Sequence, residues 1–225
     1  LEAIGLGPDN SFIPFVLADR VLENTTESWA AYFQGDFALT DTVTLIAGVR
    51  YTDEDKDVSF RDNQPCNLAA VPPCGTDPDG DGIANTDLAD VNLVRLGIPL
   101  DQNVQLWTPK FALEYKPADN QLYYVSATRG FKSGGWNARG TVPEALLPFG
   151  PEIVWSYELG YKSDWLDGRL RANVTAFYTD VADFQIPSAF VQPSGALTFI
   201  TQNFADLEVF GLEAAVAYAP TDSLT

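Results

Sequence analysis

Apolar and polar residues alternate with period two along seven stretches of this chain. In residues 42–52, Val43, Leu45, Ala47, Val49 and Tyr51 alternate with Thr44, Ile46, Gly48, Arg50 and Thr52. Residues 153–165 repeat the pattern with Ile153, Trp155, Tyr157, Leu159 and Tyr161 against Ser156, Glu158, Gly160 and Lys162. Residues 29–39, 107–116, 123–129, 169–180 and 197–219 follow suit, the last too long for a simple span and expected to bulge near 203–206. Successive side chains of a strand point to opposite faces, so the pattern predicts an all-β protein of about seven strands, each with one apolar face.

The gaps between these strands alternate in length. Tight gaps fall at 40–41, 117–120, 166–168 and 220–223, and long ones at 53–103, 133–150 and 187–195. A soluble sheet has no reason to sort its turns by parity. A transmembrane β-barrel does, with short turns on the periplasmic side and long loops outside. No apolar run approaches the length of a spanning helix, which leaves the closed barrel as the way to satisfy backbone groups in lipid.

The aromatics add depth to this prediction. Trp29, Tyr51, Trp107, Trp155 and Tyr178 lie toward the loop ends of their strands, and Phe37, Tyr115, Trp165 and Tyr218 toward the tight turns. Two such belts mark the two membrane interfaces. The middles read Ala31, Ala47, Ala127, Gly160 and Ala176, a band of small residues where a sandwich core would place large ones. The opposite face would line a lumen, with Gln34, Asp36, Arg50, Lys110, Glu114, Glu158, Lys162, Arg171 and Glu213. Arg129 breaks the rule, since it shares parity with the outward Tyr123, Val125 and Ala127; a place at the loop-side rim is expected.

Charge narrows the partners. The net charge is −18, with only 13 Lys and Arg in 225 residues, which argues against nucleic acid, whose phosphates need clustered cations. Much of the acid lies in the gap 53–103. There Asp77, Asp79 and Asp81 stand at alternate positions before Gly82, the opening of an oxygen cage for Ca²⁺. Asn85, Asp87 or Asp90 would complete the set, but Leu88 stands where a calcium loop of the helix-loop-helix type needs Glu. Two readings stay open, a Ca²⁺ site and a solvated acidic loop. Cys66 and Cys74, the only cysteines, flank a short Pro-containing segment and read as a local disulfide in an oxidising compartment. Without any His, Ser-His-Asp and Cys-His catalysis are excluded. Gly-Phe-Lys-Ser-Gly-Gly at 130–135 lacks the spacing of a phosphate loop, so no enzyme is expected and no cofactor is required.

Four segments carry a family resemblance. Tyr-Tyr-Val-Ser-Ala-Thr-Arg-Gly-Phe-Lys-Ser-Gly-Gly-Trp-Asn at 123–137 resembles a barrel strand of the TonB-dependent outer-membrane receptors. The hairpin of 28–53 with its Gly48-x-Arg50-Tyr51, the segment 151–162 with Glu158-x-Gly160-x-Lys162, and Gly211-x-Glu213 resemble further strands of that family, in order. The resemblance implies a bacterial outer-membrane receptor with a barrel of roughly 22 strands. It would import a scarce nutrient, most often an iron–siderophore complex, with energy delivered through TonB. On this reading residues 1–27 end an external loop, and 28–225 are a partial barrel whose plug and closing strands lie elsewhere in a longer protein. Trp136, Asn137 and Arg139 are the candidate ligand-side loop residues. The alternative is a secreted or surface β-sheet protein of structural or adhesive role, stabilised by calcium.

Overall fold

The computed structural model describes residues 20–62, 75–76, 85–86, 90–137, 143–191 and 197–220. Seven long strands form one antiparallel sheet in simple meander order. They are β1 (Arg20–Ala38), β2 (Val43–Asp62), β5 (Asp101–Ala118), β6 (Gln121–Lys132), β7 (Glu152–Trp165), β8 (Leu170–Val191) and β9 (Leu197–Tyr218). The connection from β2 to β5 contains a two-residue ladder of β3 (Gly75–Thr76) with β4 (Asn85–Thr86), then helix α1 (Asp90–Arg95). A 3₁₀ turn, Pro143–Leu146, lies between β6 and β7.

The tight turns come from local chemistry. Between β7 and β8, Leu166 (φ 57°), Asp167 (φ 57°) and Gly168 (φ 84°) are all left-handed, and Arg169 N–H donates to the Leu166 carbonyl at 3.2 Å. That is the Asp-Gly turn whose twist matches a hairpin. Between β1 and β2, the Thr40 hydroxyl oxygen accepts from the backbone N–H of Val43 at 3.0 Å and of Thr42 at 3.2 Å. Two residues, Asp119 and Asn120, join β5 to β6, and Asn120 is tied across to β7 by its amide on the Asp164 carbonyl, 2.8 Å.

Cross-strand register sorts the side chains as the alternation predicts. Leu45 pairs with Phe37 and Leu113, Tyr51 with Trp107, Leu159 with Val125 and Ala176, and Tyr178 with Tyr157 and Phe210, all on one face. That face is not buried: Phe33 is 68%, Trp107 57%, Leu159 63% and Phe210 79% exposed. An aqueous sheet would not leave so large an apolar area bare.

The strands run further than the alternation suggests. Arg20 pairs with Asp62, so residues 20–27 and 53–62, read above as loop, belong to β1 and β2. Likewise β8 and β9 pair up to Val191↔Leu197, which shrinks the gap expected at 187–195 to 192–196 and puts Pro187 inside a strand. The irregularity expected near 203–206 is present. The register shifts between Val181 and Phe184 and again before Gln185, where Asp183 has φ 56°. In these extensions the faces exchange character. On β2, Asp53, Asp55 and Asp57 continue the parity of Tyr51, whereas Val58 and Phe60 continue the parity of Arg50 and are buried.

Val58 and Phe60 meet Leu93 of α1, Ile98 and Leu146, with Leu22, Leu100 and Trp136 packed around them, to form the hydrophobic core. The helix that supplies Leu93 stops at Gly97 (φ 77°). Ile98 N–H donates to the Leu93 carbonyl at 2.9 Å and Gly97 N–H to Val94 at 3.0 Å, the paired bonds of a glycine helix end.

Candidate functional site

The polar face of the sheet is the candidate site. It carries the predicted Gln34, Arg50, Lys110, Glu114, Glu158, Lys162, Arg171 and Glu213 on one side through register pairs such as Gln34↔Gly48↔Lys110 and Lys162↔Asn173. Two recesses open on it. One, of about 250 Å³, is lined by Tyr32, Gln34, Arg50, Thr108 and Lys110. The other, of about 380 Å³, lies at the tight-turn end among Lys116, Asp119, Gln121, Lys162, Asp164 and Arg171, where Arg171 Nε meets Asp164 at 2.7 Å. Tyr32 and Thr108 were missed by sequence reasoning because an aromatic and a threonine fit either face; their parity with Gln34 and Lys110 is the signal that finds them.

Glycines make this wall. Gly160 pairs with Tyr124, and a Cβ on Gly160 would lie 2.1 Å from the Tyr124 ring. Tyr124 therefore lies over a strand that has no side chain beneath it and reaches the Thr175 hydroxyl at 3.1 Å, with Lys162 Nζ 5.2 Å from its ring centre. Gly211 and Phe177 repeat the arrangement, 2.8 Å from such a Cβ. Gly160 thus lies on the polar face, as its alternation with Tyr161 predicts, and of the small residues expected at mid-wall only Ala31, Ala47, Ala127 and Ala176 share the outward parity. That band also holds Phe33, Phe111, Leu113 and Leu212, so the small-residue middle is corrected to a mixed one.

The aromatics expected at the two interfaces form ring contacts across neighbouring strands. Tyr51 lies tilted against Trp29 (5.3 Å between ring centres) and Trp107 (4.8 Å), while Tyr157 adjoins Trp155 on one side and Tyr178 on the other. Tyr115, Tyr123 and Tyr161 form the second row, 6.1 and 4.6 Å apart, with Phe37, Trp165 and Tyr218 exposed at the same end.

Above the wall a polar network closes the base of the loops. Lys56 Nζ donates to the Gly134 carbonyl at 2.7 Å and lies 3.3 Å from Glu54, which also accepts from Ser133 Oγ. Gln185 Nε2 bonds the Ser133 and Gly150 carbonyls, and Gln102 Nε2 bonds Phe149. The Gly-Phe-Lys-Ser-Gly-Gly exit of β6 is therefore a docking point for side chains of other strands. Gly134 serves it directly, because a Cβ there would lie 2.3 Å from the Phe149 carbonyl. Of the predicted loop residues, Trp136 is committed inward, its Nε1 on the Pro99 carbonyl at 2.9 Å. Asn137 spends both amide atoms on the backbone of Thr201, at 3.0 and 2.6 Å.

Arg139, Cys66, Cys74 and the predicted calcium ligands Asp77, Asp79, Asp81 and Asp87 lie outside the described residues, and Asn85 is described only by its backbone pairing with Thr76. Among the described residues no acidic cluster is suited to a metal and no helix is long and apolar enough to cross a membrane.

Beside the exposed apolar face, its two aromatic rows and a meander with short turns at one end, residues 4–225 match a family model described as "TonB dependent receptor-like, beta-barrel". The chain belongs to the TonB-dependent receptor β-barrel family. It is 27% identical over 197 residues to the pesticin receptor of Yersinia enterocolitica, covering 87% of this chain and 24% of that protein. In fold it resembles the ferric yersiniabactin uptake receptor FyuA of Yersinia pestis, with TM-score 0.65, 19% identity, 90% of this chain and 26% of that one. The siderophore receptor PiuA of Acinetobacter baumannii gives TM-score 0.57 and 20% identity over 89% of this chain and 24% of that one. The chain thus spans about a quarter of the length of these relatives. Its family places it in the bacterial outer membrane, where the exposed apolar face is the one suited to lipid.

Proposed function

We propose that this chain forms part of the wall and loop-side mouth of an outer-membrane importer that takes up an iron–siderophore complex with energy delivered through TonB. The observation that carries the reading is one strand, β2, whose outward side chains are apolar up to Tyr51 and acidic from Asp53 onward. A wall that ends in a folded, water-facing extension above the bilayer suits capture of a solute from outside. The kinship to receptors named for pesticin and ferric yersiniabactin supports iron chelates as cargo. A closed barrel of roughly 22 strands and an interior plug belong to the same proposal. Within the wall, Tyr32, Arg50 and Lys110 line the recess that an anionic chelate would pass.

Uptake of radioactive iron by cells that carry the parent gene as their only receptor tests this. Accumulation from ferric siderophore that vanishes on deleting tonB supports it; accumulation unchanged by that deletion refutes the energised mechanism, and none with any ferric siderophore refutes the cargo class. The Ca²⁺ site at Asp77, Asp79 and Asp81 and the Cys66–Cys74 disulfide are proposals for the same external loop. Calorimetric titration of the purified receptor with Ca²⁺ checks the first, and mass measurement before and after reduction the second.

A further inference from the structure

Arg129 has the parity of the lipid-facing side chains, and the structure keeps it there, paired with Trp155 across β6 and β7. Every other basic residue of the spanning ladders, among those described, has the opposite parity: Arg50 on β2, Lys110 on β5, Lys162 on β7 and Arg171 on β8. An unpaired cation facing hydrocarbon is costly, so its depth matters. Arg129 is at the level of the loop-side aromatics. Its Nη1 donates to the Trp107 carbonyl at 2.6 Å, a group freed because the β5–β6 ladder stops at Lys110↔Thr128.

The guanidinium is therefore held on the Trp107 carbonyl, and the Arg129 backbone pairs with Trp155, an aromatic expected at the loop-side interface. Among the described residues no carboxylate pairs with it. Asp180 lies two strands away in the same row, about 10 Å at the usual strand spacing, and Glu208 one strand beyond it accepts a bond from Tyr178 Oη at 2.8 Å. At that range exposed charges are largely screened. One Arg129 N–H bond is spent on Trp107, and the remaining donors face the headgroup layer with the planar geometry that suits phosphate oxygens.

We propose that Arg129, framed by Trp107 and Trp155, is a binding site on the outer barrel wall for the phosphate of an outer-leaflet lipid headgroup. Trp rings hold the acyl-chain side and the guanidinium takes the anion. The site fixes the receptor's height in the leaflet and covers the gap where β5 and β6 part.

The test uses the full-length receptor, with native mass spectrometry of bound lipid after exposure to phosphatidylglycerol or to a glucosyl-diacylglycerol with the same acyl chains and no phosphate. Wild type is expected to retain phosphatidylglycerol preferentially, and Arg129→Gln to weaken that retention about tenfold, the loss of one charge-assisted contact, with Arg129→Lys between them. Equal retention by wild type and Arg129→Gln overturns the proposal. So does displacement of the lipid by inorganic phosphate, which would mark a free-anion site. Should Arg129→Gln fail to fold, wild type alone decides: Arg129 is expected to be shielded from phenylglyoxal in phosphatidylglycerol nanodiscs and modified in the glucolipid ones, and equal modification in both overturns the site.

Discussion

The spanning wall and the extension above it share continuous strands, β1 and β2 among them, yet solve opposite problems. In the wall, large apolar side chains point out and stay uncovered by protein, while polar ones point in. In the extension, Asp53, Asp55 and Asp57 point out, and Val58 and Phe60 point in to meet Leu93, Ile98 and Leu146. The backbone ladder does not change between the two, since β1 and β2 pair without interruption from Arg20↔Asp62 to Ala38↔Thr44. What changes is the solvent outside. Alternation on a strand therefore reports the difference between its two environments, and when the outer one switches from hydrocarbon to water the apolar set moves to the other face.

The comparison can be broken from the extension first. Phe60→Ala empties the core centre and should cost about 3–5 kcal/mol of local stability. Limited proteolysis should then cut the loop-side region faster, while the heat-modifiable gel mobility of the barrel stays that of wild type. Loss of both would show that the extension is not a separate layer of stability.

The wall breaks differently. Leu159→Arg puts a charge on the lipid face near mid-wall and should cost about 2–4 kcal/mol in a refolding titration, whereas Thr25→Arg, on the same face of β1 but above the girdle, should cost less than about 0.5 kcal/mol. Equal costs would erase the boundary between the two regions. Inside the wall, Gly160→Ala places a methyl group against the Tyr124 ring and should cost about 1–3 kcal/mol by overpacking, with most of it recovered when Tyr124→Ala is added. Non-recovery would mean that the glycine serves the backbone and not the ring.

The smallest effect belongs to the junction. Lys56→Met removes the bond to the Gly134 carbonyl and the cation beside Glu54, which keeps its bond from Ser133, and should cost about 1–2 kcal/mol. Amide exchange across residues 133–137 should rise without change in the wall.

Much of the wall was legible in the sequence because one lipid solvent acts on every strand: Val43 to Tyr51 and Ile153 to Tyr161 sort by parity alone. The strand ends were not. Past Tyr51 the outward residues become acids and the inward ones first Glu54 and Lys56, so five charged residues in succession, Asp53 to Asp57, hide a strand that continues to Asp62. The helix that supplies Leu93 is too short for a periodic signal, and only Gly97 marks its end. At the site, charged inward residues were readable, but the reason for Gly160 and Gly211 required the register that sets Tyr124 and Phe177 over them. Trp136 and Asn137 were readable as loop residues of interest, not as residues whose polar atoms are spent on Pro99 and Thr201.

The most direct measurement of the face exchange is a nitroxide scan along β2 of the full-length receptor in lipid nanodiscs, reading accessibility to oxygen against a water-soluble nickel chelate. The account predicts oxygen-dominated contact at positions 45, 47, 49 and 51, a crossover at 53, nickel-dominated contact at 55 and 57, and neither at 58 and 60. Oxygen contact that continues through 57, or water contact at 45 and 49, would contradict it.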